Sequence, residues 1–378
     1  MAIHLPVRAA SFLGLAALAL LPVAAPASTP VYAYTVTSLG TLPGYIGSIA
    51  YGVNDSGQVT GQSSNNTGSP HAFFYSGGTM HDLGTLPFDN TSIGRGINGS
   101  GQVAGESDTN SGLNHSFLSG ANGGTLTNLG GTTTVGLGVN ASGQVTGDAN
   151  AVPNTTHAFL SGANGVGFTD LGTLPGGKFS QGNGVNNSGQ VAGYGDTSTS
   201  DIHAFLSGAN GAGLTDLGTL PGGATSLGFG VNNLGQVTGY SSTGNNAHAF
   251  LSGANGAGLT DLGLLAGGTF SQGNSVNDLG QVVGEASING SNSDRAFVFS
   301  GGVLTNLNTL IDPSLGITLL NATSISNTGY ITANNGLNAF LLTPRTLNAV
   351  PEASTTVSFG VLLLLGAGAM VLKARRKA

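Results

Sequence analysis

Gly184-Val185-Asn186-Asn187-Ser188-Gly189-Gln190-Val191, then His203-Ala204-Phe205-Leu206, then Leu214-Thr215-Asp216-Leu217-Gly218 followed by Thr219-Leu220-Pro221-Gly222-Gly223: these phrases recur in the same order along the chain. The turn glycine of the first phrase falls at Gly57, Gly101, Gly143, Gly189, Gly235, Gly280 and Gly329, with spacings of 44, 42, 46, 46, 45 and 49 residues. Such a period is that of propeller blades. Working outward, the second phrase recurs as His71-Ala72-Phe73, His115-Ser116-Phe117, His157-Ala158-Phe159 and His248-Ala249-Phe250, then decays to Arg295-Ala296-Phe297 and Asn338-Ala339-Phe340. The leucine of the third recurs at Leu39, Leu83, Leu129, Leu171, Leu217, Leu262 and Leu307.

Each phrase has a mechanical reading. Apolar residues flanking a short polar turn that ends in Gly make a hairpin, the Gly supplying the positive φ. His-Ala-Phe-Leu reads as a strand with Phe inward, and Leu-Thr-Asp-Leu-Gly as another that Leu-Pro-Gly-Gly terminates. One unit thus holds four short strands: S-x-x-x-G-V-N, Q-V-x-G, H-A-F-L and L-T-D-L-G. Seven such units predict an all-β chain, a β-propeller of seven four-stranded blades, with a β-solenoid as the alternative. The chain opens on a lone fourth-strand phrase, Thr35-Val36-Thr37-Ser38-Leu39-Gly40, and its repeats end on a lone third-strand phrase, Asn338-Ala339-Phe340-Leu341-Leu342. The N-terminal strand is therefore expected to complete the last blade and close the ring.

Composition agrees. Of 378 residues 66 are Gly, only 7% are charged, and there is neither Cys nor Trp. Interior glycines at about 1 kcal/mol each disfavour long helices. Without Cys there is no disulfide framework, zinc ribbon or thiol nucleophile.

The two ends read as addresses. Residues 1–27 have the pattern of a secretory signal peptide: Arg8, an apolar stretch through residues 11–25, and Ala25-Pro26-Ala27 with cleavage after Ala27. Residues 28–345 form the repeat domain and 346–356 a linker carrying Pro351 and Glu352. Residues 357–372 are an apolar segment predicted to span the membrane, at about 24 Å if helical. Residues 373–378 are a basic tail expected to stay cytoplasmic.

A Pro-Glu motif, an apolar segment and a terminal basic cluster together resemble the PEP-CTERM sorting signal of Gram-negative bacteria, although Ala353 stands where the name-giving motif has its second Pro. The resemblance implies export across the inner membrane, an exosortase-type processing enzyme as partner, and species that make exopolysaccharide. The repeat itself resembles the HAF repeat of exported bacterial proteins, named for the same triplet. That implies an extracellular or cell-surface protein and attaches no activity.

The repeat domain holds four basic residues (Arg95, Lys178, Arg295, Arg345) against fifteen acids, a net charge of −11. No basic stripe exists to displace counterions from phosphates, so nucleic acid is not an expected partner. Candidate chemistry is sparse. His71, His115, His157, His203 and His248 would form a weak metal site if they converged on the axis. The alternative is that each bonds a turn of its own blade. Acidic turns such as Asn54-Asp55-Ser56-Gly57 and Asn277-Asp278-Leu279-Gly280 suggest calcium but lack the full ligand series. Gly94-Arg95-Gly96-Ile97-Asn98-Gly99 matches a dinucleotide motif yet opens no helix. Glu106 with Asp108, and Glu285 with Asp294, are the acid pairs a glycosidase would need. Tyr45, Tyr51, Tyr75, Tyr194 and Tyr240 are the aromatics free to stack on sugars. No catalytic, cofactor or firm metal residue is assigned. The expectation is a non-enzymatic matrix or surface protein binding polysaccharide or another surface protein through exposed turns, the alternative being a carbohydrate-active enzyme with its site in the central channel.

Overall fold

The structure, a computed structural model, describes residues 33–345 except 109–111, 132, 153–154, 245 and 289–290. Ala27, Pro351, Glu352 and the apolar segment at 357–372 lie outside the described residues. Among those described, no helix is long and apolar enough to cross a membrane.

Among the described residues, twenty-eight strands form seven four-stranded sheets, with neighbours in each sheet antiparallel. This is the seven-bladed β-propeller. Blades one to six each take four consecutive strands. In blade four these are Ser180–Val185, Val191–Asp196, Ile202–Ser207 and Leu214–Asp216, the four strands read from the repeat. The first strands of successive blades adjoin one another around the axis, so the fourth strands lie at the rim. Blade seven is composite: Asn321–Ile325, Ile331–Asn334 and Ala339–Pro344 are joined at the rim by Tyr34–Ser38. That closing pair runs from Tyr34 opposite Pro344 to Ser38 opposite Phe340.

The core lies between blades. Phe205 of blade four is fully buried against Ala158, Leu160, Leu171 and Leu174 of blade three. Its ring lies on the backbone of Gly193, where a Cβ would come within 2.7 Å of it. The V-x-G of the second strand is thus a bed for the Phe of the third. A second leucine, the one before Pro, is equally buried at Leu42, Leu86, Leu174 and Leu220.

Repeated polar residues stitch the blades together. Ser180 at the start of a first strand accepts from the Ala158 amide of the preceding blade at 2.9 Å and donates to the Gly172 carbonyl. The hairpin turns make a girdle on one face. The buried Asn186 side chain accepts from Ser188 and Gln190 amides of its own turn and donates to the Asn232 carbonyl of the next blade. This link repeats from Asn54 to Asn277. All seven turn glycines have φ between +70° and +86°, as the hairpin reading requires.

Outside that girdle runs a second one, with a gap. The next turn residue donates its amide to the side chain of its counterpart in the following blade: Ala141 to Asn187, Asn187 to Asn233, Asn233 to Asp278, Asp278 to Asn327, Asn327 to Asp55. Gly99 and Ala141 have no oxygen to offer the preceding amides. A Cβ on Gly99 meets nothing within 4 Å and its φ is ordinary. Gly99→Asn should therefore supply the acceptor for the Asp55 amide and stabilise the ring by about 1 kcal/mol. Thermal unfolding of G99N and of G99N/A141N checks this; the melting temperature should rise at each step.

Candidate functional site

The five histidines do not meet on the axis. They sit on third strands, and four hydrogen-bond through Nδ1 to the fourth-strand aspartate of the same blade: His71–Asp82, His157–Asp170, His203–Asp216 and His248–Asp261, at 2.8–3.0 Å. His115 turns to Asp89 instead (3.2 Å), because Asn128 occupies the aspartate place in blade two. Each Asp also caps its own turn, as Asp216 does by accepting from the Gly218 amide. The His-Asp phrase pair is a rim fastener. Among the described residues no group of three or more His, Asp or Glu side chains is placed to hold a metal. The acidic turns are likewise occupied, since Asp55 and Asp278 accept hydrogen bonds within the girdle.

What the repeat leaves free lies nearer the axis. Every first strand carries a bulge at its middle, where the register skips one residue. Bulges re-aim a side chain. The skipped residues are Tyr51, Arg95, Leu137, Asn183, Phe229, Asn274 and Thr323, all half-buried. The neighbouring second strands add one position facing the next blade: Gln62, Glu106, Asp148, Tyr194, Tyr240, Glu285 and Asn334. Cross-strand pairing equates them, for Ile49 lies opposite Gln62, Val135 opposite Asp148 and Gln272 opposite Glu285. Two sets of seven equivalent places thus carry mostly polar and aromatic groups, with Leu137 the exception, that change from blade to blade.

Their contacts are specific. Arg95 binds Glu106 through Nη2 (2.6 Å) and Nε (3.1 Å), and its guanidinium lies 4.8 Å from the Tyr51 ring centre. Tyr194 donates its hydroxyl to Gln181 at 2.9 Å, and Gln181 donates to Asn183. Phe179, Tyr194, Phe229, Tyr240 and Phe270 form a stripe of rings across blades four to six, with centres 5.8–6.5 Å apart. Carboxylates flank it. Burial pushes Asp148 up to about 6, with the charge of Glu106 adding to the shift. Burial pushes Glu285 up to about 6 as well, helped by Asp294. The Glu285–Asp294 pair therefore interacts in space. Glu106, by contrast, is taken by Arg95, and its sequence neighbour Asp108 takes no part in that pair.

The shift on Glu285 has a consequence for stability. Between the unfolded value near 4.5 and the folded value near 6, the native state holds more protons, so stability falls as pH rises through that window. Glu285→Gln should leave stability unchanged at pH 4 and raise it at pH 7.5. The gain is about 1–2 kcal/mol after allowance for partial exposure. Unfolding curves at the two pH values measure it.

No protein-family model matches the chain, and no curated protein matches it either. Among solved structures it resembles oligogalacturonate lyase from Vibrio parahaemolyticus (TM-score 0.53, 10% identity, 83% of this chain and 96% of that one). It also resembles the β-propeller domain of the Trilobed protease from Pyrococcus furiosus (TM-score 0.52, 7% identity, 80% and 98%), described as having an open velcro topology. Against TolB from Acinetobacter baumannii the TM-score is 0.42 at 13% identity over 56% of this chain, and the chain spans about half (53%) of that protein. At these identities the likeness is one of fold.

Proposed function

We propose that this is an exported, non-enzymatic propeller of the cell surface or extracellular matrix, which binds polysaccharide in the axial region of one face. The observation that carries the reading is the pair of rings just described. A repeat whose turn glycines, buried turn asparagines and inter-blade phenylalanines recur varies most at the bulge and at the second-strand position beside it. Half-buried tyrosines with carboxylates, carboxamides and an arginine around them suit a polyhydroxylated ligand, whose apolar ring faces lie on aromatics while hydroxyls take hydrogen bonds. The exposed turns are less suited, because the girdle uses their side chains. Export and anchoring rest on the two terminal signals, with the exosortase-type enzyme as the processing partner and the inner membrane as the site of processing.

The test is binding of the full chain to the producing organism's exopolysaccharide, with Tyr194→Ala and Tyr240→Ala as variants. Loss of a stacking ring should weaken binding about tenfold or more per site. Unchanged binding in both variants would sink the reading. One observation favours the alternative of a carbohydrate-active enzyme: Glu285, poised near neutral pH beside Asp294, has the character of a proton donor. Release of reducing ends from the same polysaccharide, abolished in Glu285→Gln, would support it.

A further inference from the structure

Between blades six, seven and one lies a cavity of about 600 Å³. Tyr51 forms one wall from its bulge, Glu285 and Asp294 another, with Arg295, Asn321 and Thr323 between them. The neutral groups are engaged: Asn321 accepts from Asn274 at 2.8 Å, and Thr323 donates to the Ala50 carbonyl at 2.9 Å. Arg295 donates to the carbonyl of its neighbour Asp294. Among the described residues, no Arg, Lys or His makes an ion pair with either Glu285 or Asp294. Two carboxylates thus face one half-buried space with a single guanidinium, that of Arg295, which pairs with neither of them, and burying charges unpaired is costly. Arg95, the basic group beyond Tyr51, is held by Glu106.

We propose that this cavity is a subsite for a protonated amino sugar, its ammonium held by Glu285 and Asp294 and its ring laid against Tyr51. The proposal rests on the polysaccharide-binding reading above and narrows it to glycans with free amino groups. A cation supplies the charge the site lacks, and the aromatic wall attracts it further. A uronic acid would add a third negative charge. A bare divalent ion would have two carboxylates and an adjacent guanidinium, a poor ligand set. A lysine-rich peptide would satisfy the carboxylates but has no ring to lay on Tyr51.

The groups that titrate or carry charge around Glu285 are Asp294 and Arg295 on the adjacent strand and Tyr51 across the cavity. Burial drives the Glu285 carboxyl upward, and of these groups Asp294 adds to the shift. Binding should therefore weaken below about pH 6, as Glu285 takes a proton, and again as the pH rises past neutrality, because the sugar amine, a far weaker base than lysine, loses its own.

The experiment is calorimetric titration of the full chain with β-1,4-linked glucosamine tetramer, its fully N-acetylated counterpart, a glucose tetramer and oligolysine. At pH 7 the free-amine tetramer should bind at least tenfold more tightly than the acetylated one. Glu285→Gln should erase that difference by weakening the free-amine tetramer, and Asp294→Asn should reduce it. Equal binding of acetylated or glucose tetramers, lost in the tyrosine variants, would overturn the amino-sugar subsite and leave polysaccharide binding standing. Oligolysine binding that depends on Glu285 and exceeds that of the sugar would also overturn it. Binding of no sugar, including the native polysaccharide, would overturn both readings.

Discussion

Phe205→Ala should cost about 3–5 kcal/mol of stability, the range for emptying a buried aromatic site. Phe205 is wholly enclosed at the interface of blades three and four. Its neighbours belong to two sheets whose backbones are fixed by ladders, so they cannot collapse into the space left behind. At about 2.1 cal/mol/K per residue for the entropy of unfolding, the melting temperature should fall by roughly 5 °C or more. Phe205→Leu, which keeps most of the volume, should lose less than half as much. Urea or thermal unfolding followed by circular dichroism reads both. A loss under 1 kcal/mol for the alanine variant would contradict the buried-interface account.

Gly189→Val should be nearly as damaging, by about 3 kcal/mol, for a different reason. Gly189 has φ +71°, and a Cβ there would come within 3.0 Å of the Asn210 backbone. Those two turns are bolted together: the Asn210 amide donates to the Ser188 carbonyl and the Gly211 amide to the Gly189 carbonyl, both at 3.0 Å. A β-branched side chain both strains the turn and pushes this contact apart. Gly189→Asn accepts the left-handed conformation more readily and should fall between wild type and the valine variant. Equal stabilities for the two variants would mean that backbone conformation is not the cause.

These two positions show what was legible in the sequence. Phe205 and Gly189 recur because geometry demands them, and a reading of what recurs finds the strands, the turn and the closing strand at Tyr34–Ser38. His203 was visible for the same reason, but its partner Asp216, thirteen residues away, was read only as part of another strand. Nothing in the sequence selects the acid pair Glu285–Asp294, since spacing does not show that strand pairing brings the two carboxyls within electrostatic reach. The bulge residues do not stand out from the sequence as a set. Tyr51, Arg95, Asn183 and Phe229 share no chemistry, so a search for constancy discards them. Their signal is the reverse: a changing residue two places before the β-branched Val or Ile of each hairpin.

Closing the ring by pairing Tyr34–Ser38 with Ala339–Pro344 sets the timing of folding. The two strands lie some three hundred residues apart, so the final contact has a far larger loop to close than any hairpin within a blade. Blades one to six can assemble in order as the chain emerges, each from four consecutive strands. Blade seven cannot be finished until its third strand has arrived. Until then Tyr34–Ser38 waits as an unpaired edge, a template for a strand from another molecule. A chain closed in this way reaches its final state only after residue 344 has emerged, all at once and late. Slow or interrupted synthesis should therefore yield molecules joined through the first strand of one and the last blade of another.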